Sequence, residues 1–226
     1  MEKQTYSQAA YEAIKNSLIQ GAYGKYVNGR RIATELGMGY SPVREALQRL
    51  LQEGLLERIP NSGYFVREIE WKDISRIFQV RECVELFIWD QMFDEIDEST
   101  LRRMELLHEK EIQAAAQQDF VVCREIDIEF HGILPEQYRN RDLLFLYRNC
   151  REKQMICVNQ PLALYNQEAI REHGEIIGQV REGRKEAALA LLRKHILNFR
   201  ERMQGNIRES GMRWAEKPKN NRGGSK

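Results

Sequence analysis

Three of the four histidines in this 226-residue sequence lie where their spacing can bring imidazole rings together. Asp127 and His131 are four residues apart, so on a helix their side chains lie one turn apart on the same face. His173 and His195 are equally distant from residue 184, beside Gly183. In an antiparallel helical hairpin that turns there, the two rings lie at the same level. If the helix of Asp127 packs against that hairpin, one carboxylate and three imidazoles converge.

Three neutral imidazoles and one carboxylate suit a divalent transition metal. Zinc is the first choice for this donor set, and nickel, manganese and iron are chemically reasonable. Facing helices of a bundle are a known source of such ligands. The alternative is that each histidine is a partly buried side chain that binds no metal. His108 has no partner at such a spacing and is expected at the surface, and Cys123 is expected in the core.

The elements that must position these residues are helices. From Trp71 onward apolar residues recur with helical spacing, and strand signals are absent. An antiparallel bundle is the packing that such a series favours. Pro135 should stop or kink the helix that carries His131. The six predicted bundle helices span residues 71–93, 98–118, 119–134, 140–157, 165–182 and 185–206.

The first 70 residues show a different pattern. A first helix is expected behind Ser7, a second should start at Asn28, and a third should have Ser41 as N-cap and Pro42 as its first residue. Two short β-prone runs then flank the turn signal of residues 60–63, which is typical of a hairpin. Helices joined by a tight glycine-bearing turn and followed by a hairpin predict a winged helix-turn-helix.

Arg44 then falls in the first turn of the third helix, where the dipole disfavours a cation but the free amides attract anions. An arginine there suits a phosphate or a guanine edge, which predicts a DNA contact. Arg30 and Ser41 would flank it, and Gly63 at the hairpin tip would let the backbone approach DNA closely. A solvated surface arginine is the alternative.

The segment "RIATELGMGYSPVREALQRLLQEGLLERIPNSGYFV" resembles the winged helix-turn-helix of the GntR family of bacterial transcription regulators. That family's pattern runs "LAxxLGVSRTPVREALxxLxxEGLV" and ends in a wing with a glycine. The resemblance covers about residues 7–67. It implies DNA contacts at four positions, with a fifth as a looser candidate: Arg30, Ser41, Arg44 and Gly63, then Arg49.

Two positions depart from the family pattern. Tyr40 stands where the family usually has an arginine, and Gly29 stands where it often has an acidic residue. A tyrosine can donate to a phosphate or stack, but it cannot make a bidentate contact with guanine. Tyr40 is therefore retained as a candidate DNA contact, and an atypical operator is expected.

The segments "DIEFH" and "REHGEIIGQVREGRKEAALALLRKHI", with "VRECVEL" in the first bundle helix, resemble the FCD class of effector domains. In the FadR subfamily of GntR regulators this class follows the winged domain directly. The resemblance covers about residues 71–205, and six bundle helices rather than seven are similar to the VanR-like branch. It implies a metal that helps bind a small carboxylate effector, held by Asp127, His131, His173 and His195.

Arg81, in "VRECVEL", resembles an arginine common in the first bundle helix of that class. The resemblance makes it a candidate for pairing with the carboxylate of the effector. A buried ion pair with Glu82, Glu85 or another helix is the alternative.

Composition excludes several other classes. The chain is 42% hydrophobic and 31% charged, with no apolar run of the length that a membrane span requires. A net charge of +1 argues against bulk nucleic-acid coating, although residues 25–49 carry a local excess of positive charge. The start "MEKQTYSQAA" lacks the apolar core of a signal peptide, so a cytoplasmic protein with reduced, mostly buried cysteines is expected.

These observations predict a mostly α protein with a winged helix-turn-helix at 1–69, a helical effector-binding and dimerisation bundle at 70–207, and a polar tail at 208–226. The expected function is transcriptional regulation by a homodimer that binds a palindromic double-stranded DNA operator and responds to a small organic acid. A structural metal or a metal-sensing site is the alternative. A bundle metalloenzyme is a remote one, because no second carboxylate near Asp127 is indicated by spacing.

Overall fold

The computed structural model of the protein describes residues 5–60, 63–66, 71–157 and 167–209. Its first elements are three helices and three short strands: α1 (Tyr6–Ile19), β1 (Tyr26–Val27), α2 (Gly29–Glu35), α3 (Tyr40–Gln52), β2 (Leu56–Ile59) and β3 (Gly63–Val66). The later elements are helices and one 3-10 turn: α4 (Trp71–Met92), the turn Phe93–Glu95, α5 (Glu98–Ala116), α6 (Phe120–Gln137), α7 (Arg141–Cys157), α8 (Gln167–Arg181) and α9 (Lys185–Glu209). The mostly α prediction is confirmed.

The helix-turn-helix consists of α2 and α3. Asn28, predicted as the start of the second helix, is the N-cap of α2, because its side-chain oxygen accepts from the amides of Arg30 and Arg31. Gly37 then takes a φ of +62°, which turns the chain toward α3. The prediction for the start of α3 was wrong by two residues, since Tyr40 is its first residue and Gly39 the N-cap. The fixed φ of Pro42 fits inside the first turn as well as at its start.

The cap predicted for α1 was also wrong. Thr5, rather than Ser7, accepts from the amide of Gln8 and begins the helix two residues earlier. The hydroxyl of Ser7 instead donates to Glu45 of α3. Both helices start early because side chains and backbone upstream of the apolar stripe can complete the first turn, which the stripe itself does not reveal.

The wing is a three-stranded antiparallel sheet in the order β1-β3-β2. In the predicted hairpin Leu56 pairs with Val66 and Ile59 with Gly63, while residues 61–62 of its turn lie outside the described residues. β1 has only two residues and was not predicted. Thirteen buried hydrophobic residues, mainly of α1, α2 and α3, form the core beneath this sheet.

The six bundle helices agree with the prediction to within three residues at the ends that the structure describes. α6 continues for two residues beyond Pro135, so the proline does not end it at once. α9 continues to Glu209, and the rest of the predicted polar tail lies outside the described residues. A second hydrophobic core, separate from that of the winged part, fills the bundle. None of the described helices is long and apolar enough to span a bilayer.

Of the cysteines, Cys123 and Cys150 are buried free thiols, as expected, but Cys83 is exposed on α4. The side chain of Cys157 lies outside the described part of the chain. His108, expected at the surface, is half-buried, with its Nδ1 3.8 Å from a carboxylate oxygen of Glu111. The spacing gave His108 no histidine partner and did not reveal this carboxylate neighbour.

Candidate metal centre and nucleic-acid interface

The structure brings Asp127, His131, His173 and His195 together in the middle of the bundle. One ligand atom from each lies within 4.8 Å of every other, and all four side chains are at most 1% exposed. The helical spacing on α6 and the hairpin of α8 and α9, which turns at Gly183, place the rings as the sequence indicated. The His173 and His195 ring centres lie 4.6 Å apart across that hairpin.

The distances between the ligand atoms suit one shared ion. His131 Nε2 lies 3.0 Å from His195 Nε2 and 3.4 Å from His173 Nε2. Asp127 Oδ1 lies 3.6 Å and 3.7 Å from the Nε2 atoms of His131 and His173. Two atoms bound tetrahedrally to one zinc at its usual bond length lie about 3.4 Å apart. These four of the six separations are close to that spacing, and all six are within 4.8 Å, so the four side chains form a candidate site for one metal ion.

Three glutamates fix which nitrogen of each ring faces this centre. The Nδ1 atoms of His131, His173 and His195 lie 2.7, 2.8 and 2.8 Å from carboxylate oxygens of three different helices. An ionised carboxylate only accepts, so each Nδ1 carries a hydrogen and each neutral ring presents the Nε2 lone pair inward. This is the arrangement that metal-binding histidines usually have. The three carboxylates belong to Glu85 of α4, Glu111 of α5 and Glu172 of α8.

One of the two carboxylate oxygens of Asp127 is left unpaired by the described residues. Its Oδ1 is buried and has no hydrogen-bond partner among the described residues, while its Oδ2 accepts from Arg151 at 2.5 Å. Burial of an unpaired carboxylate oxygen is costly. With three Nε2 lone pairs gathered at the same centre, a cation is the group that satisfies all four atoms.

The electrostatics favour an ionised aspartate and mostly neutral rings. Burial opposes ionisation of Asp127, but the charge of Arg151 lowers the pKa of that carboxyl well below its usual range. Burial lowers the pKa of His195 to about 4, and burial with the charge of Arg81 lowers the pKa of His131. The pKa of His173 is raised instead, because Glu111 outweighs burial.

Two arginines flank the centre. Arg81 is fully buried and forms an ion pair with Glu85, which was one of the alternatives from the sequence. Its Nη1 and the Nη1 of Arg151 both donate to Gln154 Oε1 at 3.2 Å. The Nη2 of Arg81 is buried without a hydrogen-bond partner in the part of the chain that the structure describes. An anion is the kind of group that would satisfy this donor.

Sequence reasoning missed Arg151, Gln154, Glu111 and Glu172, and it named Glu85 only as a possible partner of Arg81. Spacing indicated no second carboxylate near Asp127, and the three glutamates reach the histidine rings from other helices or other turns. Glu172 directly precedes His173, and Glu85 lies one turn after Arg81, so weak signals existed. Their convergence depends on packing of all six helices, which spacing within one segment cannot show.

The predicted DNA contacts fall into two groups. Tyr40, Arg44, Arg49 and Gly63 line a groove of about 930 Å³ between α3 and the wing, to which Arg58 of β2 also contributes. Arg30 and Ser41 are exposed but do not line this groove. Arg44 is the fifth residue of α3 rather than the third as predicted, because the helix starts earlier. Its exposed side chain has no hydrogen-bond or ion-pair partner among the described residues.

Arg49 is held within the protein. Its guanidinium lies 3.8 Å from the centre of the Tyr11 ring, its Nη1 donates to Gln8, and its Nε is 3.2 Å from Glu53. Gly63 has a φ of +105°, and an added Cβ would lie 3.0 Å from the ring of Tyr26. The glycine is therefore required by the fold of the wing, whatever its part in DNA contact.

The two departures from the family pattern are neighbours in space. Gly29 is buried, and a Cβ built on it would lie 2.8 Å from Leu47 Cδ1 and 3.2 Å from Tyr40 Cε2. The ring of Tyr40 thus packs where a side chain at position 29 would begin. A glycine at this position and an aromatic ring at position 40 are compatible with each other, whereas an acidic side chain beside this ring would clash.

Comparison with known proteins agrees with this architecture. Residues 6–66 match the family described as bacterial regulatory proteins, gntR family, and residues 76–198 match the FCD domain. An uncharacterized HTH-type transcriptional regulator, YdhC of Bacillus subtilis, is 27% identical over 193 residues, which are 83% of this chain and 84% of the relative.

Two solved structures share the fold. A putative transcriptional regulator GntR from Rhodococcus sp. RHA1 has a TM-score of 0.74 at 21% identity, covering 88% of this chain and 97% of that one. McbR/YncC of E. coli has a TM-score of 0.69 at 19% identity, covering 90% and 99%. The matched families and relatives are regulators of transcription, not enzymes. The chain belongs to the gntR family of bacterial regulatory proteins, in the group whose winged helix-turn-helix is followed by an FCD domain.

Proposed function

We propose that this regulator is a cytoplasmic homodimer that binds a palindromic operator and whose DNA affinity is set by a small organic acid at a metal site in the bundle. The observation that carries the proposal is the set of four buried ligand atoms whose three imidazoles are each oriented by a glutamate. Metal-binding histidines usually have such a carboxylate contact on the nitrogen that faces away from the metal, whereas packing alone does not require it. The six described bundle helices favour the VanR-like branch.

Asp127, His131, His173 and His195 would hold the ion, and zinc is the metal that their donor types favour, with nickel, manganese and iron as alternatives. When bound, the metal supplies a Lewis-acidic position for a carboxylate oxygen of the effector. Arg81 would bind the same effector, because its buried Nη2 lacks an acceptor among the described residues and a carboxylate suits a guanidinium. Glu85 would keep the rest of that guanidinium in place.

The winged part would enter the major groove with α3. Arg44 is free to contact a base edge, Tyr40 can donate to a phosphate, and Arg58 extends the positive charge onto the wing. Arg30, Ser41 and Gly63 remain candidate contacts at the margin of this surface, whereas Arg49 is engaged by α1. A two-fold dimer would present two such surfaces to two half-sites.

A second candidate function is a metal sensor or a metal of purely structural role. It is favoured because all four candidate ligands come from the protein and each is at most 1% exposed. A structural zinc site has four protein ligands and no position at which water or an effector can exchange. In that case the metal itself is the signal, or no signal enters the bundle.

The experiment that separates the two is a thermal-shift screen of small organic acids and sugar acids, with metal-loaded and chelated protein. A ligand of the native state raises the apparent melting temperature with its concentration. The proposal expects a shift that requires metal and is lost in His173→Ala, while Arg184→Ala, an exposed residue before α9, serves as control. Metal-dependent stability with no shift from any acid would favour the second function.

A further inference from the structure

One helix joins the two halves of the protein. Glu152 of α7 forms an ion pair with Lys15 of α1, with a separation of 2.5 Å between Oε1 and Nζ. Both side chains are only 15% exposed, so this pair is screened less than a surface pair. One turn earlier, Asn149 Nδ2 donates to the backbone carbonyl of Glu53 at the end of α3, at 3.3 Å.

The same turn of α7 also reaches the candidate metal centre. Arg151, next to Glu152 in the chain, donates to Asp127 Oδ2 at 2.5 Å. Successive residues of a helix point about 100° apart, so the two side chains face different neighbours from one rigid segment. Gln154 adds a bond to Arg151 and to Arg81, so the inner face of α7 is bound to α4 as well as to α6.

From Lys15 the contacts continue to the recognition helix. Lys15 Nζ donates to the hydroxyl of Tyr11 at 2.8 Å, and that hydroxyl donates to a carboxylate oxygen of Glu53 at 2.8 Å. Glu53 follows directly after α3 and pairs with Arg49 of that helix. Polar contacts on either side of one turn of α7 therefore link Asp127 to the C-terminal end of α3.

We infer that Glu152 is the positioning residue through which the occupancy of the metal centre controls the placement of α3. This inference rests on the proposed function, because it requires a metal at Asp127. A cation beside Asp127 competes with Arg151 for the negative charge of that carboxylate, so the force that Arg151 exerts on α7 changes. Because α7 is a rigid helix, a displacement at Arg151 also moves Glu152 and Asn149, and α1 and the end of α3 move with them.

Hydrogen exchange of the full-length protein with and without zinc tests this coupling. In wild type, zinc should slow exchange in α6 and α8 and also change exchange in α1 and α3. In Glu152→Gln the change in α6 and α8 should persist, while the change in α1 and α3 is lost. Lys15→Met removes the same ion pair by changing the residue of α1, so it should also lose the zinc-dependent change in α1 and α3.

Glu82→Gln is the matched control, because Glu82 pairs with Arg193 across α4 and α9 and lies in the bundle. It should respond as wild type does. A zinc response confined to the bundle in wild type would overturn the coupling and leave the metal site standing. A response of α1 and α3 that survives in Glu152→Gln and Lys15→Met would overturn the role of Glu152. If zinc leaves α6 and α8 unchanged in wild type, the metal site and the coupling both fail.

Discussion

Glu111 holds the ring of His173: its Oε2 lies 2.8 Å from Nδ1, and both side chains are 1% exposed. The contact joins α5 to α8 and leaves the Nε2 of the ring directed at the other ligand atoms. It also explains the raised pKa of His173, because the carboxylate stabilises the protonated ring more than burial opposes it. A carboxylate so placed increases the basicity of the ring and its affinity for a metal.

Glu111→Gln should therefore lower zinc affinity by about 10–100-fold, since loss of such an outer contact typically has this effect. Glutamine can still accept a hydrogen bond, so the change removes the charge and keeps the size. The measurement is a competition titration against a chromophoric zinc chelator. Glu109→Gln is the matched control, on the same helix with its side chain 57% exposed. Equal affinities in the two variants would contradict a ligand role for His173.

The wing offers a test of backbone conformation. Gly63→Ala places a Cβ at a φ of +105° and 3.0 Å from the Tyr26 ring, which should destabilise the native state by about 1–2 kcal/mol. Gly24→Ala is the control, since nothing lies within 4 Å of its added Cβ; a change within about 0.5 kcal/mol is expected. Urea unfolding followed by circular dichroism measures both. If the Gly63 variant is as stable as the Gly24 variant, a side chain at residue 63 causes no backbone strain and the prediction is wrong.

The helices and the convergence of Asp127 with the three histidines could be predicted because each depends on periodicity within one segment or on symmetry about one turn. His173 and His195 illustrate this: residues equidistant from Gly183 meet across α8 and α9. The glutamates could not be predicted, because each reaches its ring from a different helix and only the packed bundle fixes those distances. Helix starts were misplaced since backbone and side chains before the apolar stripe extend the first turn, as Tyr40 does in α3.

Tyr11 should make stability depend on alkaline pH. Burial, with a smaller contribution from Glu53, raises its pKa to about 12, although Lys15 opposes the shift. The unfolded tyrosine ionises near 10, so between pH 10 and 12 the native state binds more protons than the unfolded state, and stability falls as pH rises. The stability difference between wild type and Tyr11→Phe should shrink across this window, by at most about 1.4 kcal/mol per pH unit. The measurement is the urea midpoint of both proteins at a series of pH values. A stability difference between them that stays constant from pH 10 to 12 would contradict the raised pKa of Tyr11.

Arg44 and Arg58 should affect DNA binding in different ways. Arg44 lies on the groove-facing side of α3 without a partner among the described residues, so Arg44→Ala should cost about 1–3 kcal/mol and relax discrimination at one operator position. Arg58 lies on the wing, where a phosphate contact is expected, so Arg58→Ala should weaken binding to all sequences and lower the salt slope by about 1.

The measurement for both arginines is fluorescence anisotropy over a range of salt concentrations, on operator DNA selected by the wild-type protein from a random pool and on an unselected duplex. Arg184→Ala removes a positive charge from the bundle and should leave affinity and salt slope unchanged, which controls for net charge. Equal losses on the selected and unselected DNA in Arg44→Ala would assign that residue to a phosphate instead of a base. In that case sequence discrimination must come from other side chains along the groove, of which Tyr40 and Gln48 are the first to test, because both line it from α3.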